Sequence, residues 1–263
     1  MLDAILMGIV EGLTEFLPIS STGHLILLGE LIGFRGPPGK VFEISIQLGA
    51  ILAVIVLFRA RLLQLARGAL VAGSDERAVV VNLLLAFLPA LVIGATLHGT
   101  ITRVLFNPWV VCAALIIGGI AIIVIERRMR EPEIRSLEEM GPVAALLIGF
   151  GQVLAMIPGT SRSGATIIAA LLCRVERRSA AEFSFLLAIP TMLAATAFSL
   201  LKAREELTAD GLVLIAVGFV TAFLVALLTV RLVLAHISRI GFTPFGWYRI
   251  ALGLVMLLVL SLR

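Results

Sequence analysis

Six stretches of the chain, at about 41–58, 79–101, 107–125, 183–201, 211–234 and 244–262, run almost unbroken through apolar residues. Roughly 20 such residues cross a bilayer as a helix, so each stretch is predicted to be a membrane span. Residues 1–33 and 142–174 break the pattern: both are apolar at their flanks and interrupted midway by Pro, Gly, Ser and ionisable side chains. Neither flank alone comfortably reaches across. Irregular backbone at membrane depth is tolerated only where protein or a water-filled cavity covers it. Both regions are therefore predicted to be re-entrant helix–loop–helix hairpins. The expected fold class is all-α, a polytopic integral membrane protein with six full spans and two re-entrant hairpins.

The interrupted regions resemble each other. At an offset of 141, Gly8 matches Gly149, Leu13 matches Leu154, Ser20 matches Ser161, Gly23 matches Gly164 and Ile26 matches Ile167, while Thr22 faces Ser163. Phe106-Asn107-Pro108-Trp109 echoes Phe242-Thr243-Pro244-Phe245 at an offset of 136. The pattern predicts one membrane domain of two halves, 1–125 and 142–263, joined by a loop at 126–141. Each half holds a hairpin and three spans, an odd number, so the second half is expected to be an inverted-topology repeat of the first. Loops 59–78, 126–141, 174–182 and 235–243 carry twelve arginines; the opposite side carries six basic residues, Arg35, Lys40, Arg103, Lys202, Arg204 and Arg263. The excess places the first set in the cytoplasm. Both termini then lie outside, and the two broken tips, entering from opposite sides, can meet near the midplane.

Composition agrees. The 263 residues are 60% hydrophobic and 14% charged, against about 45–50% and about 25% in soluble domains. A net charge of +4 is better explained by basic, orienting loops than by nucleic-acid binding. Asp3, Glu11 and Glu15 do not suit a signal peptide. Cys112 and Cys173 have no paired spacing and are expected in the core.

The chemistry concentrates in the two interruptions. In the first, "EGLTEFLPISSTGH", Glu11 and Glu15 are four apart and share a helix face, and Pro18 closes the helix. A carboxylate at mid-membrane costs roughly 2.5–3.5 kcal/mol, and two on one face should retain a proton or bind a cation. Ser20, Ser21 and Thr22 lead through Gly23 into an apolar run, a helix start whose free N–H groups attract phosphate oxygens; His24 lies in its first turn. Plain capping explains the hydroxyls equally well. The second interruption, "PGTSRSGAT", has the same build. Gln152 and Met156 stand where the first has Glu11 and Glu15, and Arg162 is added. Gly159 and Gly164 allow close backbone approach, Ser161, Ser163 and Thr166 offer hydroxyls, and Arg162 offers a fork suited to phosphate or a partner for Glu11 or Glu15. Tip to tip, the two form a site for phosphoryl transfer on a phosphorylated lipid.

These two segments resemble the signatures of bacterial undecaprenyl pyrophosphate phosphatases of the bacitracin-resistance type. "FEISIQLGAILAV" (Phe42 to Val54) and "AAEFSFLLAIP" (Ala180 to Pro190) are also similar to that family's pattern, and the resemblance covers nearly the whole chain. It implies a helical fold with two re-entrant hairpins and inverted repeats, and release of one phosphate from a polyprenyl pyrophosphate at the outer face of the bacterial plasma (inner) membrane, which regenerates the carrier lipid of cell-wall synthesis. Carried over by motif, the functional positions are Glu11, Glu15, Ser21, His24, Ser161, Arg162 and Thr166. Arg162 would hold the pyrophosphate, with Ser161 and Thr166 donating to it. Ser21 is the favoured nucleophile, with Glu15 or His24 as its base; attack by water or by His24 is the rival. Glu11 and Glu15 can also hold a divalent cation, magnesium or calcium, completed by substrate oxygens. No organic cofactor is expected, and a homodimer is compatible with the sequence.

Glu43 and Gln47 are expected to line the pocket or, for Glu43, to snorkel. Arg249 is expected to anchor at the cytoplasmic interface or to form a buried pair. Arg231, His98 and His236 read as interfacial, and Gly118-Gly119 as a packing surface. A transporter or flippase for a phosphorylated polyprenyl lipid is the alternative function, because broken helices meeting at the midplane also mark transporters.

Overall fold

The computed structural model describes residues 1–34, 41–105, 107–203 and 209–262. Phe106, Arg35, Lys40, Arg204 and Arg263 lie outside these residues, as do the side chains of His98 and Lys202. The described chain is helical: α1 (Leu2–Thr14), α2 (Ser21–Ile32), α3 (Val41–Leu57), α4 (Arg59–Gly68), α5 (Asp75–Leu105), α6 (Pro108–Arg127), α7 (Pro142–Val153), α8 (Arg162–Leu172), α9 (Arg177–Ala203), α10 (Ala209–Ile240) and α11 (Thr243–Ser261). A 3₁₀ turn, Leu154–Met156, extends α7.

Among the described residues five helices, α5, α6, α9, α10 and α11, are long and apolar enough to cross a membrane. α3, at 17 residues, meets that measure only together with α4, which leaves it at 71°. The sequence reading placed a loop at 59–78, where the structure has α4. Its stretch is Arg-rich, but Leu65 is buried and Arg61 pairs with Glu138 and approaches Glu182, so tertiary contacts fix a short amphipathic helix. α5, α9 and α10 overrun their apolar stretches, because their end turns need no hydrocarbon.

Small residues set the packing. α1 lies along α10, where a Cβ on Gly8 would sit 2.6 Å from the Gly218 carbonyl oxygen and one on Gly12 2.7 Å from that of Ala222. α7 lies along α5 by the same device: a Cβ on Gly149 would be 2.6 Å from the Ala86 carbonyl oxygen. α6 and α11 meet at Gly119 and Gly246. Without a hydrophobic drive between helices in lipid, such close backbone approach supplies the cohesion. The main core gathers around α9, with Phe183, Phe185, Leu186 and Leu187 buried against residues of α3, α5 and α8.

Candidate active site

Helix α1 stops because Pro18 cannot continue it. The chain turns through Ser20 at φ 70°, whose Oγ accepts from the Gly23 N–H at 3.4 Å and starts α2. The second break repeats this. Ile157 is extended ahead of Pro158, Gly159 takes φ +92°, and Ser161 stands at φ 71° with its Oγ accepting from the Gly164 N–H at 3.1 Å. A non-glycine residue held at positive φ costs of order 1–3 kcal/mol and persists only when its surroundings enforce it. Here the breaks brace each other: Ser163 Oγ donates to the Leu17 carbonyl at 2.8 Å and lies 3.1 Å from Ser161 Oγ.

At this junction Ser21 Oγ donates to Glu15 Oε2 at 2.6 Å, and Arg162 Nη2 donates to Glu15 Oε1 at 3.2 Å. Arg162 Nη1 donates to the Ser184 carbonyl at 2.9 Å, and the guanidinium lies 5.8 Å from the centre of the Phe16 ring. One carboxylate thus joins the hydroxyl of one break to the cation of the other. Glu11, one turn before Glu15, is 1% exposed, and neither of its oxygens has a hydrogen-bond partner; Arg162 Nε is likewise buried and unpartnered. A cavity of about 170 Å³ opens at the junction, lined by Glu15, Ser20, Ser21 and Thr22 from the first break and by Gly159, Ser161 and Arg162 from the second, with Gln47 and Thr191 beside them. Two helix N-termini, whose first N–H groups have no intrahelical partner, reach this one cavity.

Residues 4–255 match the family described as bacitracin resistance protein BacA. The chain is 54% identical over 263 residues to undecaprenyl-diphosphatase 2 of Paramagnetospirillum magneticum, with all of both chains covered. It is 53% identical to the undecaprenyl-diphosphatase of Parvibaculum lavamentivorans, covering 99% of this chain and 97% of that one. Undecaprenyl-diphosphatase 1 of Agrobacterium fabrum is 50% identical over 264 residues, with 99% and 98% covered. The chain belongs to the BacA family.

Within this BacA chain the predicted residues divide. Seven of them line the cavity, as above. Glu11 is buried one turn before Glu15 and is not among the residues lining the cavity. Ser163 faces the Leu17 carbonyl, and Gly164 packs beneath the turn. Thr166 Oγ1 is 2.7 Å from Ser184 Oγ and donates to backbone within its own helix. His24 turns away: its Nδ1 is 2.8 Å from the Ser20 carbonyl oxygen, its Nε2 2.7 Å from Tyr248 Oη, and the two rings are parallel. Gln47 reaches the cavity and Glu43 does not. Arg231 and His236 are exposed.

The BacA sequence left two participants unassigned. Ser184 supports both Arg162 and Thr166; its only signal was a hydroxyl in the apolar run of α9. Arg249, expected as an interfacial anchor or half of an ion pair, is fully buried, with backbone carbonyls for partners. For a metal, no three His, Cys, Asp or Glu side chains gather among the described residues. The unpartnered oxygens of Glu11 suit a cation, but two carboxylates fall short of the six to eight oxygens that magnesium or calcium takes, so phosphate or water would have to supply the rest.

Proposed function

We propose that this chain hydrolyses undecaprenyl diphosphate to undecaprenyl phosphate and inorganic phosphate in the bacterial plasma membrane, with Ser21 as nucleophile, Glu15 as its base and Arg162 as the phosphate-holding fork. The activity follows from membership of the BacA family and from full-length relatives that carry the name undecaprenyl-diphosphatase. One observation carries the assignment of roles: Glu15 accepts the Ser21 hydroxyl at 2.6 Å while facing Arg162 across the junction. Glu15 takes the Ser21 proton as Oγ bonds to the terminal phosphorus. The bond from that phosphorus to the bridging oxygen breaks, and undecaprenyl phosphate leaves with the electron pair. Water then displaces Oγ from the phosphoserine, both of its protons leaving with the released phosphate as H2PO4−, and Glu15 returns its proton to Oγ. Arg162 and the N–H groups of the two helix starts oppose the charge on the phosphate oxygens. A magnesium or calcium ion, if bound, would be held by Glu11 and Glu15 and would neutralise phosphate charge.

The topology belongs to the same proposal. α3 with α4 makes the sixth span, α1–α2 and α7–α8 are re-entrant hairpins, and the halves 1–125 and 142–263, joined by 126–141, are inverted repeats. The exchange of partners supports this, since α1 of the first half packs on α10 of the second and α7 of the second on α5 of the first. With the arginine-rich loops inside, both termini lie outside. Gln47 lies in the first half of α3 and Thr191 just past the middle of α9, which supports a cavity near the midplane that opens to the outer side.

The test is phosphate release from undecaprenyl diphosphate by detergent-dispersed protein, where no bilayer separates hydrolysis from lipid transport. Ser21→Ala should lower release at least about 1000-fold and abolish a trappable phosphoenzyme. Substantial hydrolysis without a phosphoenzyme would transfer the attack to water. A wild-type protein that moves the lipid across vesicles and releases no phosphate would favour a flippase.

A further inference from the structure

Arg249 is the largest fully buried side chain among the described residues, and the proposed reaction does not use it. Its guanidinium has five N–H donors, and each finds a backbone carbonyl. Nε donates to Leu115 at 3.3 Å, Nη1 to Pro18 at 3.1 Å and Thr160 at 2.7 Å, and Nη2 to Ala114 at 3.0 Å and Gly159 at 3.0 Å. Pro18 belongs to the first break, Gly159 and Thr160 to the second, and Ala114 and Leu115 to α6. None of the ion pairs among the described residues includes Arg249. A buried cation without a counter-ion is expensive, and a long side chain free to do so would snorkel to water. The surroundings instead make room for it: a Cβ on Gly118 would overlap the guanidinium, and one on Gly164 would lie 3.1 Å from Nη1.

We propose that Arg249 is a positioning residue for the phosphatase reaction, a clamp that fixes the first break against the second and so sets the spacing of Ser21 and Glu15 to Arg162. The two breaks come from helices about 140 residues apart in sequence, and their direct ties are the Arg162–Glu15 pair and the hydroxyls of Ser161 and Ser163. The clamp also orients the turns. The C=O and N–H of a trans peptide point in opposite directions. Drawing the Thr160 carbonyl toward Arg249 therefore turns the Ser161 N–H away from Arg249. A charged fork does this where one neutral donor could not, because it engages three carbonyls of two breaks at once.

This inference rests on the phosphatase reading, so its test has one readout that does not need activity. Purified Arg249→Lys protein is compared with wild type by steady-state phosphate release and by amide hydrogen exchange. Lysine keeps the charge and loses the fork. Misplacement of reacting groups by about 1 Å can cost on the order of 100-fold. The expected result is a fall in kcat of that order with KM changed less than about threefold, and faster exchange in peptides covering 15–24 and 157–166 but not in those covering α5. Asn82→Ala removes a buried hydrogen bond from Asn82 Nδ2 to the Met140 carbonyl; it should lower the melting temperature while leaving kcat within about threefold of wild type. If Arg249→Lys does not fold, Gly118→Ala, which displaces the guanidinium and keeps it, takes its place with the same expectations. Unchanged exchange at either break overturns the clamp whether or not the protein releases phosphate. So does a loss of kcat that Asn82→Ala reproduces at equal loss of melting temperature. Absence of phosphate release by wild type counts against the phosphatase reading alone.

Discussion

The two breaks share a serine turn and carry opposite chemistry. Each turns through a serine near φ 70°, caps the next helix with that serine's hydroxyl and places a glycine at the third position, Gly23 or Gly164. Yet the first carries Glu11 and Glu15, where the second carries Gln152 and Met156, and the second carries Arg162 where the first carries Ser21. The contrast at Glu11 and Gln152 is the sharpest. Gln152 accepts from Thr191 Oγ1 at 3.3 Å and donates to the Ala86 carbonyl at 3.5 Å, whereas Glu11 is as deeply buried and has no partner. An amide at that position is satisfied by the fold; an acid is not, and a buried polar group without a partner is costly. In the proposed reaction the shared turn supplies the scaffold and the departures from it supply the chemistry, with neither break complete alone.

Among exchanges of a charged residue, the one that should break this division most severely is Arg162→Lys. Lysine keeps one positive charge opposite Glu15 but loses the fork that also holds the Ser184 carbonyl. Loss of one preorganised donor in an active site is worth on the order of 100- to 1000-fold, and phosphate release from undecaprenyl diphosphate should fall by that much. Near-normal turnover would exclude a bidentate role for the guanidinium.

A smaller effect, with a sign that separates stability from function, is expected for Glu11→Gln. It gives the first helix the residue of the second and removes an acid with no partner. The melting temperature should stay level or rise, while activity falls on the order of tenfold or more because the acidic group beside Glu15 is lost. A lower melting temperature with full activity would mean that Glu11 is structural.

How much of this was legible in the sequence follows from what kind of partner each group has. Glu15, Ser21 and Arg162 were found because ionisable residues and clustered hydroxyls stand out against apolar sequence, and because charged groups in lipid need one another. The breaks were found from Pro18, Pro158 and their flanking glycines. Arg249 was visible as a charge but not as a clamp, since its partners are carbonyls, which every residue carries and no letter distinguishes. The orientations of Ser163 and Thr166 were hidden for a related reason: a hydroxyl at a helix start can face a cavity or a backbone carbonyl with the same letter. α4 was hidden because its contacts are distant in sequence: Leu65 is buried in the main core and Arg61 pairs with Glu138, 77 residues away.

The smallest effect tests whether the two turns are equivalent. Ser20→Ala and Ser161→Ala each remove a cap and leave a Cβ at φ near 70°, which should cost about 1 kcal/mol, or about 2–4 °C in melting temperature for a chain of this size. Ser20→Gly and Ser161→Gly lose the same hydroxyl but relax the strained φ, so each should melt within about 1 °C of wild type. Ser161 also lies 3.5 Å from the Leu17 carbonyl oxygen and 3.1 Å from Ser163 Oγ, which makes its alanine variant the less stable of the two by a few tenths of a kcal/mol. Alanine penalties that agree within those few tenths and are erased by glycine at both sites would establish that one serine turn is used twice. An alanine penalty at one site only, or a glycine variant as unstable as alanine, would show that the matching φ values are not held by the same forces, and the likeness of the two breaks would stop at their outline.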